Sequence, residues 1–98
     1  MKTISVEEAH NIGLVNHVFE AENYFEKVLE YASQFVPPAK ASKAVGLIKR
    51  SVQTGLEVSQ AEALALEREL LQRLFESEDA GEGLKAYSQK RQAQFKGN

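Results

Sequence analysis

Apolar residues recur along this chain at three- and four-residue steps, the spacing that places them on one face of a helix, and not at the alternate positions of a strand. From Ala21 to Phe35 the stripe is Tyr24, Phe25, Val28, Leu29, Ala32 and Phe35, with Glu26, Lys27, Glu30 and Gln34 opposite, which predicts an amphipathic helix. A second stripe, Ala41, Ala44, Val45, Ile48 and Val52, carries Lys43, Lys49 and Arg50 on its polar side and predicts a helix that opens near Pro38 and stops at Thr54-Gly55. Pro37-Pro38 separates the two, because the first ring disfavours helical backbone at Val36 and neither can donate a backbone hydrogen bond. A longer helix is expected from about Glu57 to Glu76, with Leu64, Leu66, Leu70, Leu71, Leu74 and Phe75 covering half its circumference. So wide a face implies contacts with more than one neighbour.

The two ends carry local stop and start signals. Ser5-Val6-Glu7-Glu8 has the Ser-x-x-Glu form of a capping box and predicts a short helix over residues 6 to 11, stopped by Gly13. Leu14, Val15 and Val18 follow as an extended connection. Ser77-Glu78-Asp79 can cap a last helix, which Gly81 and Gly83 are expected to weaken and keep short; it runs through Leu84, Ala86 and Tyr87 before a polar tail reaches Phe95. The expected fold is all-α, about five helices in one domain over residues 1–98.

Composition narrows the function. A chain of 98 residues builds a modest core, so a partner surface would help it greatly. The formal net charge of -2 argues against a nucleic-acid partner. With no Cys there is no disulfide, thiol nucleophile or Cys-based zinc site, and two His cannot supply four metal ligands. No apolar run reaches the roughly 20 residues of a membrane span, and the start lacks the apolar core of a signal peptide, so the expected protein has no membrane partner and is cytoplasmic.

Few residues offer chemistry. His10 and His17 have no local triad or metal motif around them and are expected to be structural or surface residues. Glu67 falls between two rows of Leu and Phe, so its carboxylate is expected to enter the apolar arc; it could be an acid or base of raised pKa, or one half of a structural ion pair, the favoured reading. Tyr87 and Lys90, three apart on one helix side, could lay a ring against a planar base and an ammonium against a phosphate. Lys90, Arg91 and Lys96 form a small basic tail that suits an anionic partner or is simply solvated.

A series of short sequences carries a resemblance. Ser5-Val6-Glu7-Glu8-Ala9 leads to Gly13-Leu14-Val15-Asn16; then come Val36-Pro37-Pro38-Ala39, Lys43, Glu67, Ser77-Glu78-Asp79 and Glu82-Gly83; Ala86-Tyr87-Ser88-Gln89-Lys90-Arg91 and Phe95-Lys96-Gly97 close the series. In this order they resemble the last third of an enoyl-CoA hydratase/isomerase, the crotonase family. The resemblance implies that the acyl-CoA-binding core, with its oxyanion hole and acid/base carboxylates, would precede Met1 and be absent from this chain. It implies helices that assemble subunits into a trimer or hexamer and cover the acyl-CoA site, often a neighbour's.

Tyr87 stands where the family commonly has Phe, and Lys90 matches the Lys that follows it; the pair resembles contacts to the adenine and phosphate end of coenzyme A. The expected partners are other copies of the chain and acyl-CoA, with no cofactor required beyond the coenzyme A thioester as ligand. No catalytic residue and no metal ligand is assigned, since an oxyanion hole and paired acid/base groups are not legible in helices alone. The alternative is a stand-alone helical interaction module that does not bind coenzyme A.

Overall fold

The computed structural model describes residues 2–98; Met1 lies outside them. The described residues form five α-helices and no strand: α1 Val6–Asn11, α2 Tyr24–Ser33, α3 Ser42–Gly55, α4 Gln60–Phe75 and α5 Glu78–Ser88. The chain divides into two units, Met1–Tyr31 and Ala32–Asn98.

In the first unit the expected capping box forms. Ser5 Oγ accepts from the Glu8 amide at 3.1 Å and the Glu8 carboxylate accepts from the Ser5 amide at 3.1 Å, so two N–H groups that the helix leaves unpaired are satisfied. Gly13 ends α1 as read from the sequence. At φ +80 it lets its own amide reach His10 O at 3.1 Å and the Leu14 amide reach Ala9 O at 2.9 Å, the two bonds of a Schellman cap. Ala9 is buried beneath this turn. His17, Phe19 and Tyr31 then cluster, with the His17 and Tyr31 rings 4.4 Å apart and the Phe19 and Tyr31 rings 6.1 Å apart.

Helix α2 is shorter than its apolar stripe. Asn23 has φ +56, a left-handed conformation that cannot continue a helix, so α2 opens at Tyr24 instead of Ala21. None of its side chains is buried, and Phe25 and Leu29 stay exposed.

In the second unit α3 also starts later than expected, at Ser42 instead of near Pro38. The Lys40 amide donates to Val36 O at 3.2 Å, a turn that does not propagate, while Pro38 O accepts from the Phe95 amide at 3.2 Å. A carbonyl taken by the distant tail is not serving a first helical turn. Ser59 caps α4 by accepting from the Glu62 amide at 3.2 Å, and α3 and α4 pack side by side across the short connection 56–59. Ala63 Cβ lies 3.6 Å from the place a Cβ on Gly55 would occupy. Leu70, 3 % exposed, is the large buried side chain of this pair.

Ser77 caps α5, accepting from the Ala80 amide at 3.2 Å and donating to Leu74 O. The helix is longer than its glycines imply, running through Gly81 and Gly83 to Ser88. At Gly81 a Cβ would meet nothing within 4 Å. Gly81→Ala should therefore stabilise the chain by about 0.5–1 kcal/mol through helix propensity alone. Thermal denaturation would show a Tm higher by a few degrees, and a lower Tm would mean that the position is not the open helical site described.

Candidate functional site

The expected site residues lie at the C-terminal end of α5. Tyr87 is 87 % exposed, and Lys90 is exposed just beyond the helix. The chain brings them together through the helix cap: Gln89 is the C-cap, the Lys90 amide donates to Tyr87 O at 3.2 Å, and the Arg91 amide donates to Ala86 O at 3.0 Å. This is the same double bond that Gly13 makes, but here Lys90 holds the left-handed position, with φ +53. A side chain there costs about 1 kcal/mol relative to glycine. Neither Tyr87 nor Lys90 has a side-chain partner among the described residues, so both are available to a ligand.

What fixes this end of the helix is a strap that sequence reasoning missed. The tail beyond Gln89 is gripped at two carboxylates on the first turns of α5. Asp79, 3 % exposed, accepts from the Lys96 amide with Oδ1 and from the Gly97 amide with Oδ2, each at 2.8 Å, while its own amide donates to Asn98 O at 3.0 Å. Glu82 takes the Arg91 guanidinium in a fork, with Nη1 to Oε1 at 2.6 Å and Nη2 to Oε2 at 3.1 Å, and also accepts from the Gln94 amide at 3.1 Å. Phe95 lies over Gly83, with its Cε1 3.6 Å from where a Cβ would stand. Two charge-assisted anchors and an aromatic contact make the tail part of the fold.

The basic tail read from the sequence is thus divided. Arg91 is committed to Glu82 and the Lys96 backbone to Asp79, while Lys90 holds the left-handed corner of the cap; the Lys90 and Lys96 side chains are both exposed. The spacing that could have revealed the strap is Asp79 and Glu82 three apart at the start of a helix, with Arg91 and Gly97 beyond it.

The Arg91 hydrogen bond, then the Gln94 amide, hold the Glu82 carboxyl down to about 2 from its ordinary value near 4.5. Because the folded-state pKa is depressed, the contribution of this grip is present above the ordinary carboxylate range and is lost as pH falls through the folded value. In an acid titration followed by NMR, the Gln94 amide should keep its hydrogen-bonded shift through pH 4 and release only as the pH approaches about 2. Release at the pH where ordinary glutamates titrate would remove the clamp from the account.

Glu67 lies on a groove between α3 and α4, about 370 Å³ in volume and lined by Leu47, Ile48, Val52, Leu70, Leu71 and Leu74. Glu67 is exposed at this groove, and the ion pair expected of it is not formed within the described residues; α4 pairs Glu69 with Arg73 instead, at 2.8 Å. His10 is exposed and His17 belongs to the aromatic cluster. Among the described residues no three His, Asp or Glu gather as metal ligands, and no helix is long and apolar enough to cross a membrane.

The chain has counterparts among known proteins. The enoyl-CoA hydratase/isomerase family model matches residues 1–98. The chain belongs to this family. A crystal structure of an enoyl-CoA hydratase from Geobacillus kaustophilus superposes with a TM-score of 0.86 at 43% sequence identity, over 99% of this chain and 36% of that one. The 2,3-dehydroadipyl-CoA hydratase of Escherichia coli is 33% identical over 98% of this chain and 37% of its own length. The mitochondrial enoyl-CoA hydratase of Pongo abelii is 32% identical over 95% of this chain and 31% of its own. The chain therefore spans about a third of the length of the family members that it matches.

Proposed function

We propose that this chain is the helical segment of an enoyl-CoA hydratase/isomerase that closes over the nucleotide end of an acyl-CoA and joins subunits, positioning the ligand and leaving proton transfer to other parts of such a protein. Its relatives are named for acting on enoyl-CoA and 2,3-dehydroadipyl-CoA, which makes a coenzyme A thioester the ligand class. The observation that carries the reading is how much apolar surface the helices leave uncovered. Ala9, Leu70 and Ala86 are the buried apolar residues described, whereas Phe25, Leu29, Ile48, Leu64, Leu71 and Phe75 stay exposed. Faces of this kind need a partner surface.

Addition of water beside a thioester carbonyl places negative charge on the carbonyl oxygen, which two preorganised N–H donors would hold. In this reading those donors and the acid/base carboxylates lie outside the 98 residues. Tyr87 supplies a flat face for the adenine, and Lys90 an ammonium for a phosphate. Holding the far end of a ligand aligns the reacting end, and this is a large share of what positioning gives a reaction. A module that only binds proteins would use the same apolar faces and leave Tyr87 and Lys90 idle.

Light scattering on the purified chain across a wide concentration range, with a crotonyl-CoA hydration assay on the same sample, tests the subunit-joining and proton-transfer parts of this reading. Concentration-dependent self-association without turnover is expected. A strict monomer at every concentration, or real turnover, would overturn it.

A further inference from the structure

Glu82 grips the chain on the far side of Lys90. Arg91, the next residue, gives both guanidinium Nη groups to its carboxylate, and the Gln94 amide gives a third bond. On the near side, the Lys90 amide is tied to Tyr87 O and the Arg91 amide to Ala86 O. Lys90 is thus held from both directions in a left-handed conformation, φ +53, that a residue with a side chain rarely adopts. Such a conformation persists when its surroundings over-determine it. The helix-cap bonds alone do not, because a lysine has extended alternatives and the Asp79 anchor reaches the tail only at Lys96 and beyond.

We propose that Glu82 is a positioning residue: through Arg91 and Gln94 it holds Lys90 in the left-handed conformation beside Tyr87, so that the two are preorganised for the adenine and phosphate end of a coenzyme A thioester. This rests on the reading above that Tyr87 and Lys90 meet that ligand. Without the grip the backbone at Lys90 samples other conformations, and the ligand must order it on binding. The low pKa of the Glu82 carboxyl, about 2, keeps the grip closed at any physiological pH.

The test compares coenzyme A affinity by calorimetry for the full chain and its Glu82→Gln, Arg91→Lys, Lys90→Ala and Tyr87→Ala variants, with NMR on the same samples. A positive φ brings the amide and α protons of one residue close and gives a strong intraresidue NOE, which reads the Lys90 conformation directly. Glu82→Gln and Arg91→Lys should weaken coenzyme A about fivefold to tenfold and lose this NOE, although Tyr87 and Lys90 are untouched and the helical circular dichroism is kept. Arg91→Lys keeps the charge and loses the fork, so it still reports if Glu82→Gln folds poorly. Glu82→Asp, which retains a carboxylate, should recover part of both signals.

An NOE and an affinity that survive in Glu82→Gln while Lys90→Ala weakens binding would overturn the positioning role and leave the ligand reading standing. Lys90→Ala and Tyr87→Ala variants that bind like the parent chain would overturn both together.

Discussion

Asp79→Ala should cost the fold about 3 kcal/mol and free the end of the chain. The carboxylate is 3 % exposed and is shared by the Lys96 and Gly97 amides at 2.8 Å. Hydrogen bonds to a charged group are worth about 1.5–3 kcal/mol each. When the strap lifts, both amides regain water, so the net loss falls short of the sum. Phe95 and its bond to Pro38 loosen with it, since only the backbone bond from the Asp79 amide to Asn98 O then ties residues 96–98 to α5. For a chain of this size each kcal/mol moves Tm by about 4–8 °C, so a drop of roughly 12–24 °C is expected in thermal denaturation. Asp79→Asn keeps one acceptor and should lose about half as much. A Tm within a few degrees of the parent chain would show that the strap is not a structural element.

Lys90→Gly should move stability and binding in opposite directions. Glycine enters the left-handed position just past the C-cap without steric cost, so the chain gains about 1 kcal/mol and its Tm rises by about 4–8 °C. Coenzyme A affinity should nevertheless fall about tenfold, equivalent to about 1.4 kcal/mol, because the ammonium offered to a phosphate is gone. Lys90→Ala should lose the same affinity without the gain, since alanine shares lysine's strain. The contrast separates a lysine retained for its charge from one that merely occupies a turn. Gly13 makes the point within the same chain: at the corresponding corner of α1, where no ligand is proposed, glycine stands. Calorimetry and denaturation on one sample decide it, and an unchanged affinity in Lys90→Gly would remove Lys90 from the site.

The helices were legible in the sequence because their signals are local. Ser5 and Glu8, Gly13 and Ser77 each act within four residues along the chain, and the structure uses them as caps, whereas α4 opens at Gln60 instead of about Glu57, behind a Ser59 cap that the stripe did not reveal. The stripes of α3 and α4 were legible for the same reason. What periodicity does not reveal is whether a stripe finds cover, and Ile48, Leu64 and Phe75 do not. The errors fell where distant parts of the chain intervene. Pro38 suits a first helical turn by itself, but its carbonyl is taken by Phe95. Gly83 looked like a weakness in α5, but the helix runs through it and Phe95 from the distant tail packs over it.

The candidate site was half legible. Tyr87 and Lys90 followed from their spacing and from the resemblance, and the structure places both exposed at one helix end. The strap that fixes them was not, because Asp79 and Glu82 meet partners 9 to 18 residues away. Glu67 shows the reverse case. Its position on the apolar arc was correct, but an ionic partner cannot be read from one helix, and none stands opposite it among the described residues.

The most direct measurement of the central claim is a calorimetric titration of coenzyme A into the 98-residue chain beside its Tyr87→Ala/Lys90→Ala variant. The parent chain should bind and the double variant should not. Equal binding by both, or none by either, would contradict the claim that this helical segment covers the nucleotide end of an acyl-CoA.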